Sequence, residues 1–320
     1  MRRRRVLIIA FVLAVISVVF FINETIFVKE KRALNISIIT RGEKVGSFLR
    51  VKNGIDRIKE EKNIKINIIN LSKKNNKEEQ RNLLKEELDG DCDAILISPI
   101  EYEVIKEDIE KRKRNIPIII LETKIDELKE KNSNIINIPY DNKKIGYKLG
   151  DEIMSRGHFN KNILVLLDEN IDYIEERKEG FLESIKITDN NIEFIKKNKS
   201  KSWTSIIQSL FKDNRGDIIV SFDMELLEEI ARIKEENFED SKIEIYGVGT
   251  NDYIISALEK RIINGFSMQN EFNMGYLGVK AGIDLIEKKE FQNVVIDSKI
   301  INNENMYYDY NQKILFPFIN

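Results

Sequence analysis

The chain has 320 residues, with 52 Lys and Arg against 54 Asp and Glu, for a net charge of −2. That balance leaves no basic footprint for nucleic acid, and a single histidine and a single cysteine exclude a His-rich metal site and an intrachain disulfide. The chain is long enough for two lobes of ordinary domain size.

The N-terminus reads Met1-Arg2-Arg3-Arg4-Arg5, followed by an uncharged apolar run from Val6 to Ile22. The pattern predicts a cytoplasmic stub at 1–5, a transmembrane signal anchor at 6–22, and everything after Asn23 outside the cell membrane. A cleaved signal peptide is the competing reading. Phe20-Phe21-Ile22-Asn23-Glu24 lacks the small residues of a cleavage site, and no cysteine follows for lipid attachment.

Beyond the span, short apolar runs alternate with helical patterns. Strands are expected at 34–40, 64–71, 94–98, 116–121 and 135–138. Helices fill the gaps, the first at 45–62 with Phe48, Val51, Ile55 and Ile58 on one stripe. The pattern then repeats, with strands at 162–167, 192–195, 218–221 and 243–248 and helices at 174–185, 203–211 and 224–236. This alternation predicts parallel sheets with right-handed crossovers. Two such sets predict an N-terminal lobe from 34–138 plus 270–297 and a C-terminal lobe from 139–269 plus 298–320. Cys92, before an apolar strand, is expected to be a buried inert thiol, and His158 to lie on a surface loop. Tyr307, Tyr308, Tyr310 and Phe316 suggest that the tail packs on a lobe.

The stretch 242–277 organises the rest. A strand closed by Gly247 and Gly249 leads to Thr250 and Asn251, then a helix with Ile254, Ile255 and Leu258, an Asn264-Gly265 stop, and a short strand ending in Gln269. Ligands of open α/β sheets bind outside the carboxyl ends of the strands, which makes Asn251 and Gln269 candidate contacts.

The run VGTND, ISALEKRIING, FSMQNEFNMGYLGVKAGIDLI resembles the late motif of periplasmic-type sugar-binding proteins related to the ribose-binding protein. The resemblance covers nearly the whole chain from Leu34 to about Ile301. It implies two doubly wound α/β lobes joined by a multi-strand hinge and closing over a sugar. Binding a sugar calls for flat aromatics against its C–H faces and amide or charged groups on its hydroxyls. By resemblance Phe48 supplies an early aromatic, Glu122 the acid after the fourth strand, Arg177 the Arg of "RxxGF", Trp203 the aromatic that closes over the ring, and Gln269 the late amide. Tyr140-Asp141-Asn142 matches the entry to the second lobe, with Asp141 as helix cap.

Four departures bear on the ligand. Phe222-Asp223 stands where the family has Asn-Asp, Asn251 replaces an Asp, Thr123 replaces an Arg, and Lys44 adds a charge at the cleft mouth. The ligand set is therefore Lys44, Phe48, Glu122, Thr123, Arg177, Trp203, Phe222, Asp223, Asn251 and Gln269, with no metal or cofactor. The expected function is a membrane-anchored receptor for a sugar or polyol, with a two-component sensor kinase as partner or, alternatively, an ABC permease. An enzyme would need a nucleophile, base and orienter; no Gly-x-Ser-x-Gly elbow and no His-Glu-x-x-His is present. A sugar-responsive repressor would carry a helix-turn-helix where this chain has its arginines and apolar span.

Overall fold

The computed structural model describes residues 32–42, 45–73, 75–125, 134–167, 171–186, 189–197, 201–291 and 294–315. The 6–22 span, Lys44, the Phe48 side chain and Phe316 lie outside the described residues. Among the described residues no helix is long and apolar enough to cross a membrane.

The first sheet is made by β1 (Leu34–Ile39), β2 (Ile64–Ile69), β3 (Ala94–Ile97), β4 (Ile118–Glu122) and β5 (Ile135–Pro139), ordered β2-β1-β3-β4-β5. All its pairings are parallel. Two of its inner strands, β3 (AILI) and β4 up to Leu121 (IIIL), read as unbroken apolar runs because both faces are covered. Ile36 and Ile38 enter one layer with Val51 and Ile55, and Ile39 enters the other with Leu84 and Ile105.

The second sheet holds β6 (Asn162–Leu167), β7 (Asn191–Lys196), β8 (Ile218–Ser221), β9 (Glu244–Val248), β10 (Gly265–Gln269) and β11 (Ser298–Asn302). Its order is β11-β10-β9-β8-β6-β7, parallel except for the β10–β11 edge pair. Both sheets are doubly wound with the same switch, β1 against β3 in one and β6 against β8 in the other. The α/β class and the two lobes read from the sequence are present.

The helices are α1 (Val45–Glu61), α2 (Lys77–Asp89), α3 (Tyr102–Glu110), α4 (Asn142–Ser155), α5 (Asp172–Ile185), α6 (Trp203–Lys212), α7 (Met224–Asn237), α8 (Asp252–Glu259), α9 (Glu271–Ile286) and α10 (Asp309–Leu315). The chain passes between the lobes after β5, after β10 and before β11. Helix α9 returns to the first lobe and packs on α1, whereas α4 packs on α5 in the second. At the junction Tyr140 bridges Ile296, and the Ile296 amide donates to the Pro139 carbonyl at 2.9 Å.

Three expectations outside the cleft meet the structure. Cys92 is buried, and burial pushes its thiol up, consistent with an inert side chain. His158 lies in the loop between α4 and β6, as expected, and is held there: its Nε2 lies 3.1 Å from a Glu244 carboxylate oxygen and its ring meets Tyr246 edge-on. The tail packs on the second lobe through Met306 and Leu315, while Tyr307, Tyr308 and Tyr310 are exposed. Tyr307 still donates to Glu259 and Tyr310 lies under Lys299 at 4.3 Å, so these two add polar contacts to the apolar packing.

Candidate ligand-binding cleft

The carboxyl ends of both sheets face one cleft, lined by residues of both lobes. Buried Gln80 on α2 sets one wall by donating to the carbonyls of Thr40 at 3.2 Å and Ser98 at 2.9 Å, which holds the ends of β1 and β3 together. Arg41 follows β1 directly. Its guanidinium pairs with Glu122 and lies 4.3 Å from the centre of the Tyr173 ring, so it links the first lobe to the second.

Glu122 ends β4 with a left-handed backbone, φ 72°, a conformation that a non-glycine residue keeps only when its surroundings hold it there. The reason is visible. Its carbonyl accepts from the Tyr140 amide at 3.1 Å and the Asn142 side chain at 3.1 Å, and its carboxylate takes the Ser98 hydroxyl at 3.3 Å as well as Arg41. One residue thus joins the strand end, the hinge and the cleft wall.

Arg177 is the polar centre of the second lobe. It is 4% exposed, donating from Nε to Asn142 Oδ1 at 3.0 Å and from Nη1 to the Phe222 carbonyl at 2.7 Å. Its guanidinium also faces the Tyr173 ring at 4.5 Å, so two arginines contact one tyrosine. Burial, with Arg41 nearby, lowers its pKa to about 10. The helix pair that delivers it depends on Gly146: a Cβ there would lie 1.8 Å from the Arg177 carbonyl oxygen.

Asp223 caps α7, accepting at Oδ1 from the Glu225 and Leu226 amides at 3.1 Å each, and takes the Tyr173 hydroxyl at Oδ2 at 3.2 Å. Asp223→Ala is expected to lose about 1–2 kcal/mol from the cap and to release the ring as well; urea titration measures it, and an unchanged midpoint would contradict the assignment.

Gln269 ends β10 and Glu271 begins α9, both on the cleft. Burial raises the Glu271 carboxyl to about 8, only partly opposed by Arg50 and Arg177. A carboxyl raised in the folded state contributes stability that is complete below its ordinary value near 4.5 and is lost as pH rises through 8. Glu271→Gln removes that titration. The variant is expected to melt higher than the parent at pH 9 and to lose this advantage by pH 5; parallel pH dependences would contradict it.

Of the ten residues expected on the ligand, the structure brings four together on this cleft: Glu122, Arg177, Asp223 and Gln269. Four others lie elsewhere. Trp203, 5% exposed, belongs to the core of the second lobe, because Trp203, Ile207, Leu210 and Phe211 form one apolar stripe of α6. The Phe222 ring is buried edge-on against Phe181, so its carbonyl, not its ring, serves the cleft. Asn251 caps α8, accepting from the Ile254 amide at 2.8 Å, and donates to Glu228 at 2.5 Å. Thr123 turns to an outer groove with Tyr102 and Lys124. Lys44 and the Phe48 side chain lie outside the described residues.

Sequence reasoning missed Arg41, Tyr140, Tyr173 and Glu271. Signals for three of them were available: Arg41 immediately follows the first strand, Tyr173 stands four residues before Arg177 on the same helix face, and Glu271 stands two after Gln269.

The chain matches the periplasmic binding protein domain family over residues 38–290. It belongs to that family. No curated protein matches it by sequence. Among solved structures this family member is similar to a carbohydrate transporter solute-binding protein from Agrobacterium radiobacter in complex with D-arabinose, at 17% identity and TM-score 0.78, covering 89% of this chain and all of the other. It is also similar to GanP, a glucose-galactose binding protein from Geobacillus stearothermophilus, at 17% identity and TM-score 0.74, covering 87% of this chain and all of that one. A third is the XylFII–LytSN complex, at 18% identity and TM-score 0.71, covering 85% and 98% of the two chains. At these identities the likeness is one of fold.

Proposed function

We propose that this periplasmic binding protein is a membrane-anchored extracytoplasmic receptor that closes its two lobes over a sugar or sugar-like ligand and passes the closed state to a membrane partner. The observation that carries the binding half is the cleft itself. Polar groups from both lobes and the hinge converge there beside Tyr140 and Tyr173, and buried atoms of Arg41, Gln269 and Glu271 have no partner among the described residues. Such groups are costly to leave unmet, and a polyhydroxylated ligand meets them. The neighbours described with D-arabinose and as a glucose-galactose binder support the same class. The closing motion is supported by two lobes joined by hinge strands and touching through Arg41 and Tyr173, and at the rim through Arg50 and Asp252 at 3.5 Å.

The anchor rests on the four arginines and the apolar 6–22 span. A protein held by its own helix suits a fixed complex, so a sensor kinase is the favoured partner; the XylFII–LytSN complex is a fold neighbour bound to a second component. The alternative, delivery to an ABC permease, is supported by the carbohydrate-transporter neighbour. The reading is one of binding, with no covalent chemistry assigned.

Calorimetric titration of the full-length protein in mild detergent with a panel of aldoses, polyols and sugar acids tests the first half. Saturable binding of one of them, lost in Arg177→Met, is expected; silence across the panel would overturn the ligand class. For the anchor, protease added to intact cells is expected to digest the chain beyond residue 32, with residues 1–22 retained in the membrane after alkaline extraction. Release of the whole chain by that extraction would overturn it.

A further inference from the structure

The cleft's polar groups are unevenly satisfied. Both oxygens of Glu122 are engaged, one by Arg41 and one by Ser98, and both oxygens of Asp223 are engaged, one by backbone amides and one by Tyr173. Among the described residues, the buried atoms lining the cleft that have no partner are Arg41 Nη1, Gln269 Nε2 and Glu271 Oε2. The first two are donors by nature.

The third becomes a donor in its protonated form. The charged or titratable groups facing Glu271 are Arg50 on α1, Arg177 on α5 and Tyr140 at the hinge. Among the described residues Glu271 Oε2 has no hydrogen-bond partner, and Arg177 is committed to Asn142 and Phe222. Buried without an ion-pair partner, the carboxyl keeps its proton up to about pH 8. At neutral pH, then, three donors from β1, β10 and α9 are left for the ligand. A hydroxyl brings a hydrogen for the oxygen it offers, whereas a carboxylate offers lone pairs alone.

We infer that the ligand is a sugar acid, an aldonate or uronate, whose carboxylate is held by Arg41, Gln269 and Glu271 while its hydroxyls face Asp223 and Glu225. This deepens the solute-receptor reading and rests on it. Glu271 is thereby a specificity-determining residue: ionised, it repels the carboxylate that it binds when protonated.

The test is calorimetry on the full-length protein with matched pairs, D-gluconate and D-glucuronate against D-glucose, and D-galacturonate against D-galactose, from pH 6.5 to 9. At least one acid is expected to bind about 100-fold more tightly than its neutral counterpart, the size of one charge-assisted contact set. Its affinity is expected to fall by up to about tenfold per pH unit above pH 8, because one proton is linked to binding. Glu271→Gln, neutral throughout, is expected to bind that acid about tenfold more tightly than the wild type at pH 9, with thermal melting used to establish that it is folded. A neutral sugar binding where its acid does not overturns this inference and leaves the receptor reading intact. A flat pH profile in the wild type overturns the role of Glu271. No binding by any of the five compounds overturns the sugar-acid assignment, and silence across the wider panel overturns the receptor reading with it.

Discussion

Arg177→Met is expected to abolish ligand binding and to lower the melting temperature by about 5–10 °C. The arginine is nearly fully buried, and its two hydrogen bonds, to Asn142 and to the Phe222 carbonyl, tie the hinge-side helix α4 to the loop after β8. Each such bond to a charged donor contributes roughly 1.5–3 kcal/mol, and truncation leaves both acceptors buried and unmet. Against that, the guanidinium is itself held at a burial cost, which its depressed pKa reports. The net expectation is about 2–3 kcal/mol, and in a chain of this size each kcal/mol moves the midpoint by roughly 2–4 °C. Methionine keeps the length of the side chain and removes its five donors. Arg177→Lys separates charge from geometry: an ammonium cannot reach both acceptors in the guanidinium's fixed fork, so it should recover only part of the stability. Full recovery of stability and binding by lysine would refute the bridging role.

Gly146→Ala is expected to be the most damaging single-methyl change on α4. The added carbon would lie 1.8 Å from the Arg177 carbonyl oxygen and 2.6 Å from its carbonyl carbon, both backbone atoms of α5. No rotamer relieves that overlap, so α4 and α5 must separate, and overpacking of this kind typically costs about 1–3 kcal/mol or more. Because Arg177 sits at the point of contact, separation also displaces its guanidinium from Asn142. Thermal melting should fall by about 6–12 °C at the upper end of that range, and ligand affinity should weaken in parallel. A variant that melts lower yet binds unchanged would show that the helix approach supports the lobe and not the site.

Sequence reasoning succeeded at the level where local pattern and global architecture agree. Apolar runs such as AILI and IIIL, with helical stripes between them, imply parallel sheets covered on both faces, and Gln269 follows from its place at a strand end. It failed where one residue type suits two environments. Trp203 at a helix start serves equally as a lid or as the first residue of an apolar stripe, and only the packing of α6 against α7 within a buried core decided for the core. Asn251 suits a helix cap as well as a ligand, and the Ile254 amide claims it.

What the sequence by itself determined is the alternation of strands and helices, the two-lobe organisation and the strand ends that carry Glu122, Asp223 and Gln269, since these follow from periodicity and from where strands must stop. What only the tertiary structure decided is which polar groups already satisfy one another. Arg41 meets Glu122 and Tyr173, Arg177 meets Asn142 and a carbonyl 45 residues away, and Glu271 Oε2 has no hydrogen-bond partner among the described residues. Hydrogen-bond satisfaction and desolvation are properties of groups brought together from distant parts of the chain, so they become legible only once the chain has closed around them.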